Sequence, residues 1–192
     1  MAELLRMFVS ATNDLENQRA VIGRVVAELP IQIGVEIRRT PISGASQDDI
    51  FELIANVDRV YFLMGADITA PAGAEWSLAW QLERSIFPLR RAGRFTQAAR
   101  EFVHSTFVKW TPFHSDNDLA RIVTLDLVRI LNHPTNRYGL HVAELELLNV
   151  HGERVKRMGG HVESDQASNE PGGAEGGGIL LESTERILAD EA

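Results

Sequence analysis

Glu75 is the residue whose type and placement are best suited to chemistry. It precedes apolar residues at helical spacing, Leu78, Ala79, Leu82 and Ile86, in a helix predicted over residues 74–85. Glu75 is therefore expected in the first turn of that helix, aligned with its inward face. A carboxylate there can stabilise positive charge or act as a nucleophile. The simpler alternative is that an acid in a first turn complements the helix dipole, which gains about 0.3–1 kcal/mol.

A second group of polar residues lies at the junction Ser10-Ala11-Thr12-Asn13-Asp14. This junction joins a predicted buried strand, Leu4–Ser10, to a predicted helix carrying Leu15, Ile22 and Val25. Asn13 is the expected N-cap of that helix, with Glu16 three residues on. The five small or polar residues are more than a helix start needs, so the junction is also a candidate part of a site.

The remaining elements alternate between strand and helix. Strands are predicted over 31–37, 60–64, 86–89 and 106–113, and helices follow at about 46–57, 74–85, 96–104 and 116–131. Ser46 and Asp49 form a predicted capping box. Such alternation predicts a parallel sheet covered on both sides, that is, a doubly wound α/β domain.

Ligands of doubly wound sheets bind beyond the carboxyl ends of the strands. That rule selects four loops here: 10–14, 38–46, 65–75 and 113–116. The candidate binding residues in and beside them are Ser10, Thr12, Asn13, Asp14, Arg38, Gly65 and Trp76. Each has a plainer alternative: Asp14 marks a helix start, Arg38 is surface charge, and Trp76 packs in the core with Trp80 one turn away.

Composition excludes several classes of site. The chain lacks Cys, which excludes disulfides and thiolate metal sites and fits a cytoplasmic protein. Its six His residues show no ligand spacing, so no metal is predicted. GxxxxGK[ST], GxGxxG and GxSxG are all absent, which argues against a P-loop, a Rossmann dinucleotide site and a serine hydrolase. No bound cofactor is predicted.

Charge and hydropathy limit the partners. Of the 19 Lys and Arg and 27 Asp and Glu, residues 159–192 hold one base and eight acids, so the rest of the chain holds 18 and 19. The predicted domain is nearly neutral and lacks a basic footprint for duplex nucleic acid. No apolar run approaches the ~20 residues of a membrane span, and no signal peptide is apparent.

The sequence divides into three regions. Residues 1–135 form the predicted α/β domain. Residues 136–158 form a predicted C-terminal helix, with Tyr138, Val142, Leu145, Leu148 and Val155 as its apolar stripe. Residues 159–192 are Gly-rich and acidic and are predicted to be largely disordered.

The opening "MFVSATNDLENQR" resembles the start of DUF4062 domains, in which a strand leads to Ser-Ser/Ala-Thr, a short gap, Asp-Leu and a downstream Arg. Here these are Ser10, Ala11, Thr12, Asp14, Leu15 and Arg19. The segments "VDRVYFLMG" and "AGAEWSLAWQLERSIFPL" resemble the third strand and the acidic helix with its following strand. The resemblance covers about residues 4–131. One departure is Gly65-Ala66-Asp67, where members often have Arg-Tyr-Gly.

DUF4062 domains are similar to TIR domains and nucleoside 2-deoxyribosyltransferases. The resemblance therefore implies a flavodoxin-like, three-layer αβα fold with a mostly parallel five-stranded sheet. It also implies a nucleotide- or nucleoside-binding domain in signalling or defence. If catalytic, such a domain hydrolyses or transfers N-glycosidic bonds, with Glu75 as the catalytic carboxylate and NAD or a nucleoside as a possible substrate.

Cleavage of an N-glycosidic bond passes through an oxocarbenium-like state, whose positive charge a carboxylate beside the ribose can stabilise. The alternative is a non-enzymatic module for self-association or protein binding, with the 136–158 helix providing the contacts. Substrate, oligomeric state, pathway and the role of the acidic tail are open at this point.

Overall fold

The computed structural model describes residues 3–167, with side chains described up to residue 159. Its elements in chain order are β1 (Leu5–Ala11), a 3₁₀ helix (Asn13–Gln18), α1 (Arg19–Ala27), β2 (Val35–Arg38), α2 (Gln47–Ala55), β3 (Arg59–Met64), α3 (Ala70–Gln81), β4 (Ile86–Arg91), α4 (Gln97–Ser105), β5 (Thr111–Phe113), α5 (Asp116–Leu131) and α6 (Val142–Ala167). The predicted α/β class is confirmed.

The five strands of this part of the chain form one all-parallel sheet in the order β2-β1-β3-β4-β5. This is the flavodoxin-like order, in which the chain reverses direction across the sheet between β1 and β3. The carboxyl ends of those two strands therefore form the topological switch point, where such folds bind ligands.

Alternation along the strands divides the core between two faces. Met7, Val9, Tyr61 and Leu63 pack in one cluster with residues of α1 and α5. Phe8 and Phe62, on the opposite face, pack with residues of α2, α3 and α4. Because Ser10 has the same parity as Phe8, its side chain points toward the α3 face.

Several predicted boundaries shift for local reasons. α3 begins at Ala70 rather than residue 74, because Pro71 lies in its first turn, where a missing N–H is tolerated. Glu75 is consequently in the second turn, and its predicted first-turn position is wrong. β5 is short because α4 runs to Ser105 and Phe107 has a φ of 50°, so the predicted strand start at 106 is also wrong.

The two ends of the domain also differ from prediction. Thr12, not Asn13, is the N-cap of the 3₁₀ helix, and its side chain makes no capping bond. The C-terminal helix begins at Val142 rather than residue 136, since Asn136 and Gly139 have positive φ values that break a helix. It continues to Ala167, past the predicted tail start at 159; the rest of that predicted tail lies outside the described residues.

A buried ion pair ties β3 to α5. Arg59 donates from Nε and Nη2 to both carboxylate oxygens of Asp126, at 2.9 and 2.6 Å, and the Tyr61 hydroxyl donates to Asp126 at 3.0 Å. Arg59 and Asp126 are 6% exposed each. Burial, followed by the negative charge of Asp126, holds the pKa of Tyr61 well above its usual value, so this phenol stays a hydrogen-bond donor.

Removing one member of this pair should be strongly destabilising, since the other charge would be left buried without a partner. We expect Asp126→Ala to lower the free energy of unfolding by about 3–5 kcal/mol in urea titrations. The control is Arg129→Ala, because Arg129 contacts Asp126 at 3.4 Å but is largely exposed, and it should change stability by less than about 1 kcal/mol. Equal effects of the two variants would contradict this account.

Candidate functional site

The carboxylate of Glu75 lies between the ends of β1 and β2. The Ser10 hydroxyl donates to its Oε2 atom, and the Thr40 hydroxyl, two residues past β2, donates to Oε1. Glu75 is 3% exposed and Ser10 is fully buried. The predicted inward orientation of Glu75 toward Ser10 is thus present, although the residue is one turn further into its helix than expected.

This carboxylate has no cationic partner among the side chains that the structure describes. Among residues 3–159, every Lys, Arg and His nitrogen lies more than 4.0 Å from it. Its two hydrogen bonds come from neutral hydroxyls alone. Buried carboxylates are usually paired with a cation or a metal, because removing an isolated charge from water is unfavourable. A buried carboxylate without a protein counter-ion therefore suits a ligand that carries or develops positive charge.

Thr12 and Asp14, which follow Ser10 at the end of β1, form a link to Gly65 at the end of β3. The Gly65 N–H donates to the Thr12 hydroxyl at 2.9 Å, and that hydroxyl donates to Asp14 Oδ1 at 2.6 Å. The Ala66 N–H donates to Asp14 Oδ2 at 2.8 Å. Both oxygens of Asp14 thus hold the switch point together, which makes Thr12 and Asp14 positioning residues here.

Gly65 is required by this link. A Cβ atom at position 65 would lie 1.8 Å from Asp14 Oδ2, far inside van der Waals contact. The absence of a side chain lets the carboxylate reach the backbone of β3. Gly65 thus lies at the predicted carboxyl edge, but its contribution is to leave space for the Asp14 side chain.

The other predicted binding residues have different surroundings. Asn13 is exposed at the rim, and its side chain forms no hydrogen bond with residues 3–159. Trp76 is 6% exposed and stacks on Trp110 at 5.4 Å, with Phe62 edge-on at 4.9 Å. Trp76 is therefore a core residue, the simpler of its two predicted roles, because its ring is too enclosed to stack on a base.

Arg38 lies at the carboxyl end of β2, as predicted, but its side chain points toward the amino edge of the sheet and not toward the carboxyl edge. Its Nη1 donates to the carbonyls of Glu52 and Leu53 at the C-terminal end of α2, at 3.2 and 3.4 Å. Helices of this fold run against the strands, so the C-terminal end of α2 is at the amino edge of the sheet. Cations favour helix C-termini, which explains the orientation of Arg38.

An open cavity of about 400 Å³ lies at this amino edge, lined by Arg6, Arg38, Asn56, Val57, Asp58, Arg84 and Arg137. Its arginines are engaged with protein groups. Arg6 and Arg38 contact Glu36, Arg137 contacts Glu3 and Asp58, and Arg84 donates to the Leu82 carbonyl. This cavity contains none of the residues around Glu75, and we place the candidate site at the carboxyl edge.

Sequence reasoning missed two parts of the site. Thr40 lies within the predicted loop 38–46, but only Arg38 was selected there. The carboxyl end of β4 with the loop after it, "RRAGRF" at residues 90–95, is not among the predicted loops. Its Arg90, Arg91 and Arg94 form no ion pair among residues 3–159. Applying the carboxyl-edge rule to β4 would have found them.

Contacts connect this arginine loop to the switch point. The Thr96 N–H donates to the Ala66 carbonyl at 2.9 Å, and the Thr96 hydroxyl donates to Asp67. Ala66 in turn donates to Asp14, as described above. Arg90 is placed over the ring of Phe95, 5.4 Å from its centroid. The arginines and the Glu75 carboxylate therefore lie along the same carboxyl edge of the sheet.

No protein-family model matches the chain, and no curated protein is similar to it in sequence. Among the side chains of residues 3–159, no group of three metal-ligating residues converges, and no helix within residues 3–167 is long and apolar enough to cross a bilayer. The geometry of the carboxyl edge is therefore the basis for a functional proposal.

The link between Asp14 and Gly65 predicts a specific mutational coupling. We expect Gly65→Ala to lower the free energy of unfolding by about 1–3 kcal/mol, the usual cost of overpacking. In an Asp14→Gly background the same change should cost much less, because the clashing carboxylate is gone. Urea titrations of the four proteins give the coupling energy.

A matched control is Gly23→Ala in α1, where an added Cβ meets nothing within 4 Å. That change should stabilise the protein by about 0.5–1 kcal/mol, since Ala is the better helix former. Additive effects of the Gly65 and Asp14 substitutions would show that the two positions do not interact.

Proposed function

We propose that this chain is a TIR-like, nucleotide-binding domain that hydrolyses or transfers an N-glycosidic bond, with Glu75 as its catalytic carboxylate. The observation that carries the proposal is the buried Glu75 carboxylate, to which Ser10 and Thr40 alone donate among residues 3–159. Breaking an N-glycosidic bond leaves positive charge at C1′ of the ribose, in an oxocarbenium-like state. A pre-placed negative charge beside C1′, in a site shielded from water, stabilises that state more than the ground state, in which the ribose itself carries no charge.

The hydrogen bonds of Glu75 suggest how a ribose would bind. Thr40 is half-buried and forms the outer wall of the site, whereas Ser10 is fully buried beneath it. A ribose hydroxyl that donates to Oε1 would replace the Thr40 hydroxyl and leave the Ser10 bond in place. Ser10 is then a positioning residue that fixes the carboxylate, and Asn13 is a rim residue free to contact the ligand.

The chemistry favours an NAD-like substrate over a neutral nucleoside. When the bond from C1′ to a pyridinium nitrogen breaks, its electron pair neutralises the leaving nicotinamide, which needs no proton. Water, or an acceptor hydroxyl, then bonds to C1′ and loses its proton. A purine or pyrimidine leaves well only if an acid protonates it. The groups bonded to Glu75 are hydroxyls, which are poor acids.

The resemblance to DUF4062 domains supports the same proposal, and it alone suggests the signalling or defence setting. The lack of cysteine agrees with a reducing, cytoplasmic location. NAD enters as a substrate and not as a bound cofactor.

Replacing the carboxylate by its amide should abolish the chemistry while keeping the shape. We expect Glu75→Gln to lower base release from NAD about 100-fold or more, because the amide carries no charge to stabilise C1′. Chromatography of nicotinamide, and of bases from deoxynucleosides, measures the release. Glu52→Gln, the same change at an exposed position on α2, should leave it unchanged.

Thermal unfolding of each variant shows whether the fold is intact. Release that survives Glu75→Gln in a folded protein would reject the catalytic role. A thermal shift with NAD but no release by the unmodified chain would instead support a binding domain without catalysis.

If Arg91 and Arg94 bind the phosphates of NAD, the affinity for a ligand should depend on whether it carries phosphate. We expect Arg91→Gln/Arg94→Gln to weaken NAD binding about tenfold or more, since hydrogen bonds to charged groups contribute about 1.5–3 kcal/mol. Nicotinamide riboside, which lacks phosphate, should bind both proteins equally. Titration calorimetry measures both ligands, with Arg24→Gln/Arg129→Gln as a control of equal charge change. Equal weakening of both ligands would place the loop outside a phosphate subsite.

A further inference from the structure

The outer face of α6 carries a ridge of exposed side chains that no other described element covers. Its members recur every four residues: Val142, Glu146, Val150, Arg154 and Met158. The three apolar ones are 64–72% exposed. Side chains four residues apart form the ridges that interlock when two helices pack, so the spacing is that of a helix-packing surface.

A groove of about 670 Å³ runs beside this ridge. The described residues that line it all belong to α6: Asn149, Val150, Glu153, Arg154, Arg157 and Met158. The groove lies between the ridge and the neighbouring row 149–153–157. In the commonest class of helix packing, the ridge of one helix fills such a groove on the other, at a crossing angle near −50°.

Contacts on the opposite face fix the rotation of α6. Leu148 is fully buried in the core cluster shared with α5. A Cβ atom at Gly152 would lie 3.2 Å from Val128 Cγ1, so the glycine allows α6 to lie close against α5. The helix therefore cannot turn its ridge inward without losing this packing.

We propose that the ridge is an interface with a second copy of this chain, arranged antiparallel about a two-fold axis near Val150. Glu146 lies one turn before Val150 and Arg154 one turn after it. Antiparallel pairing places Glu146 of one copy against Arg154 of the other, and the two-fold axis repeats that pair. Val150 meets Val150 of the second copy at the centre, flanked by the exposed Leu147.

The charges on the ridge favour an antiparallel second copy over other partners. A uniformly acidic or basic partner would match only one half of a ridge that carries an acid and a base. A parallel second copy would oppose like charges, Glu146 to Glu146 and Arg154 to Arg154, which is unfavourable. The antiparallel copy opposes unlike charges on both sides of an apolar centre. Because this surface lies apart from the Glu75 site, the interface does not depend on the proposed catalysis.

The test is the oligomeric state of the full chain, measured by sedimentation equilibrium over about a hundredfold range of concentration. We expect a dimer whose fraction rises with concentration. Glu146→Arg and Arg154→Glu should each weaken dimerisation about tenfold or more, because each opposes like charges across the axis. The double variant Glu146→Arg/Arg154→Glu restores unlike charges and should recover dimerisation.

This recovery is specific to antiparallel pairing, since residues 146 and 154 are two turns apart within one helix and too distant to contact each other. Ile42→Glu, at an apolar position that is 82% exposed outside α6, is the control and should not alter dimerisation. All substituted positions are exposed, and thermal unfolding verifies the fold. A monomer at every concentration, as when residues 168–192 cover the ridge, overturns the proposal. Single variants that dimerise normally, or a double variant that does not recover, overturn it equally.

Discussion

The bond network between Thr12, Asp14 and the start of the loop after β3 is the constraint on which the carboxyl edge depends. It joins the ends of β1 and β3, the two strands between which the chain reverses direction across the sheet. At a switch point the loops after two adjacent strands run in opposite directions, which leaves a crevice between them. Here the Asp14 carboxylate bridges the loops after β1 and β3, and the lack of a side chain at Gly65 makes room for it. The loop after β4 is then held against this same backbone through Ala66.

That constraint also fixes the surroundings of Glu75. With the end of β1 held, strand alternation points Ser10 toward α3, and the carboxylate meets its hydroxyl. On the other side of β1, the guanidinium of Arg19 donates to the carbonyls of Val9 and Ala11, at 2.5 and 3.2 Å. The last residues of β1 are thereby held by side chains from both directions. A catalytic carboxylate needs such support, because small displacements of a reacting group greatly lower rate.

Much of this arrangement could be predicted from sequence, for identifiable reasons. Period-two and helical patterns gave the element order, and the predicted α5 has the bounds of the observed one because Ser115 caps it cleanly. The inward alignment of Glu75 depended only on helical spacing, so it survived the wrong helix start. The site predictions that failed depended on long-range contacts. Local sequence patterns carry no signal for these contacts. They are the bond from Arg38 to the end of α2, the stacking of Trp76 on Trp110, and the bond from Thr40 to Glu75.

The two proposed surfaces are compatible because the fold separates them. α6 packs on α5, which covers the face of the sheet shared with α1, whereas Glu75 belongs to α3 on the other face. Two copies joined through α6 would thus keep the Glu75 site of each copy away from the interface. Such a pair would present two independent sites, without a residue of one copy entering the site of the other. Any effect of dimerisation on ligand binding would have to pass through α5, whose N-terminus contacts Gln18 through Asp116 at 3.0 Å, close to the end of β1.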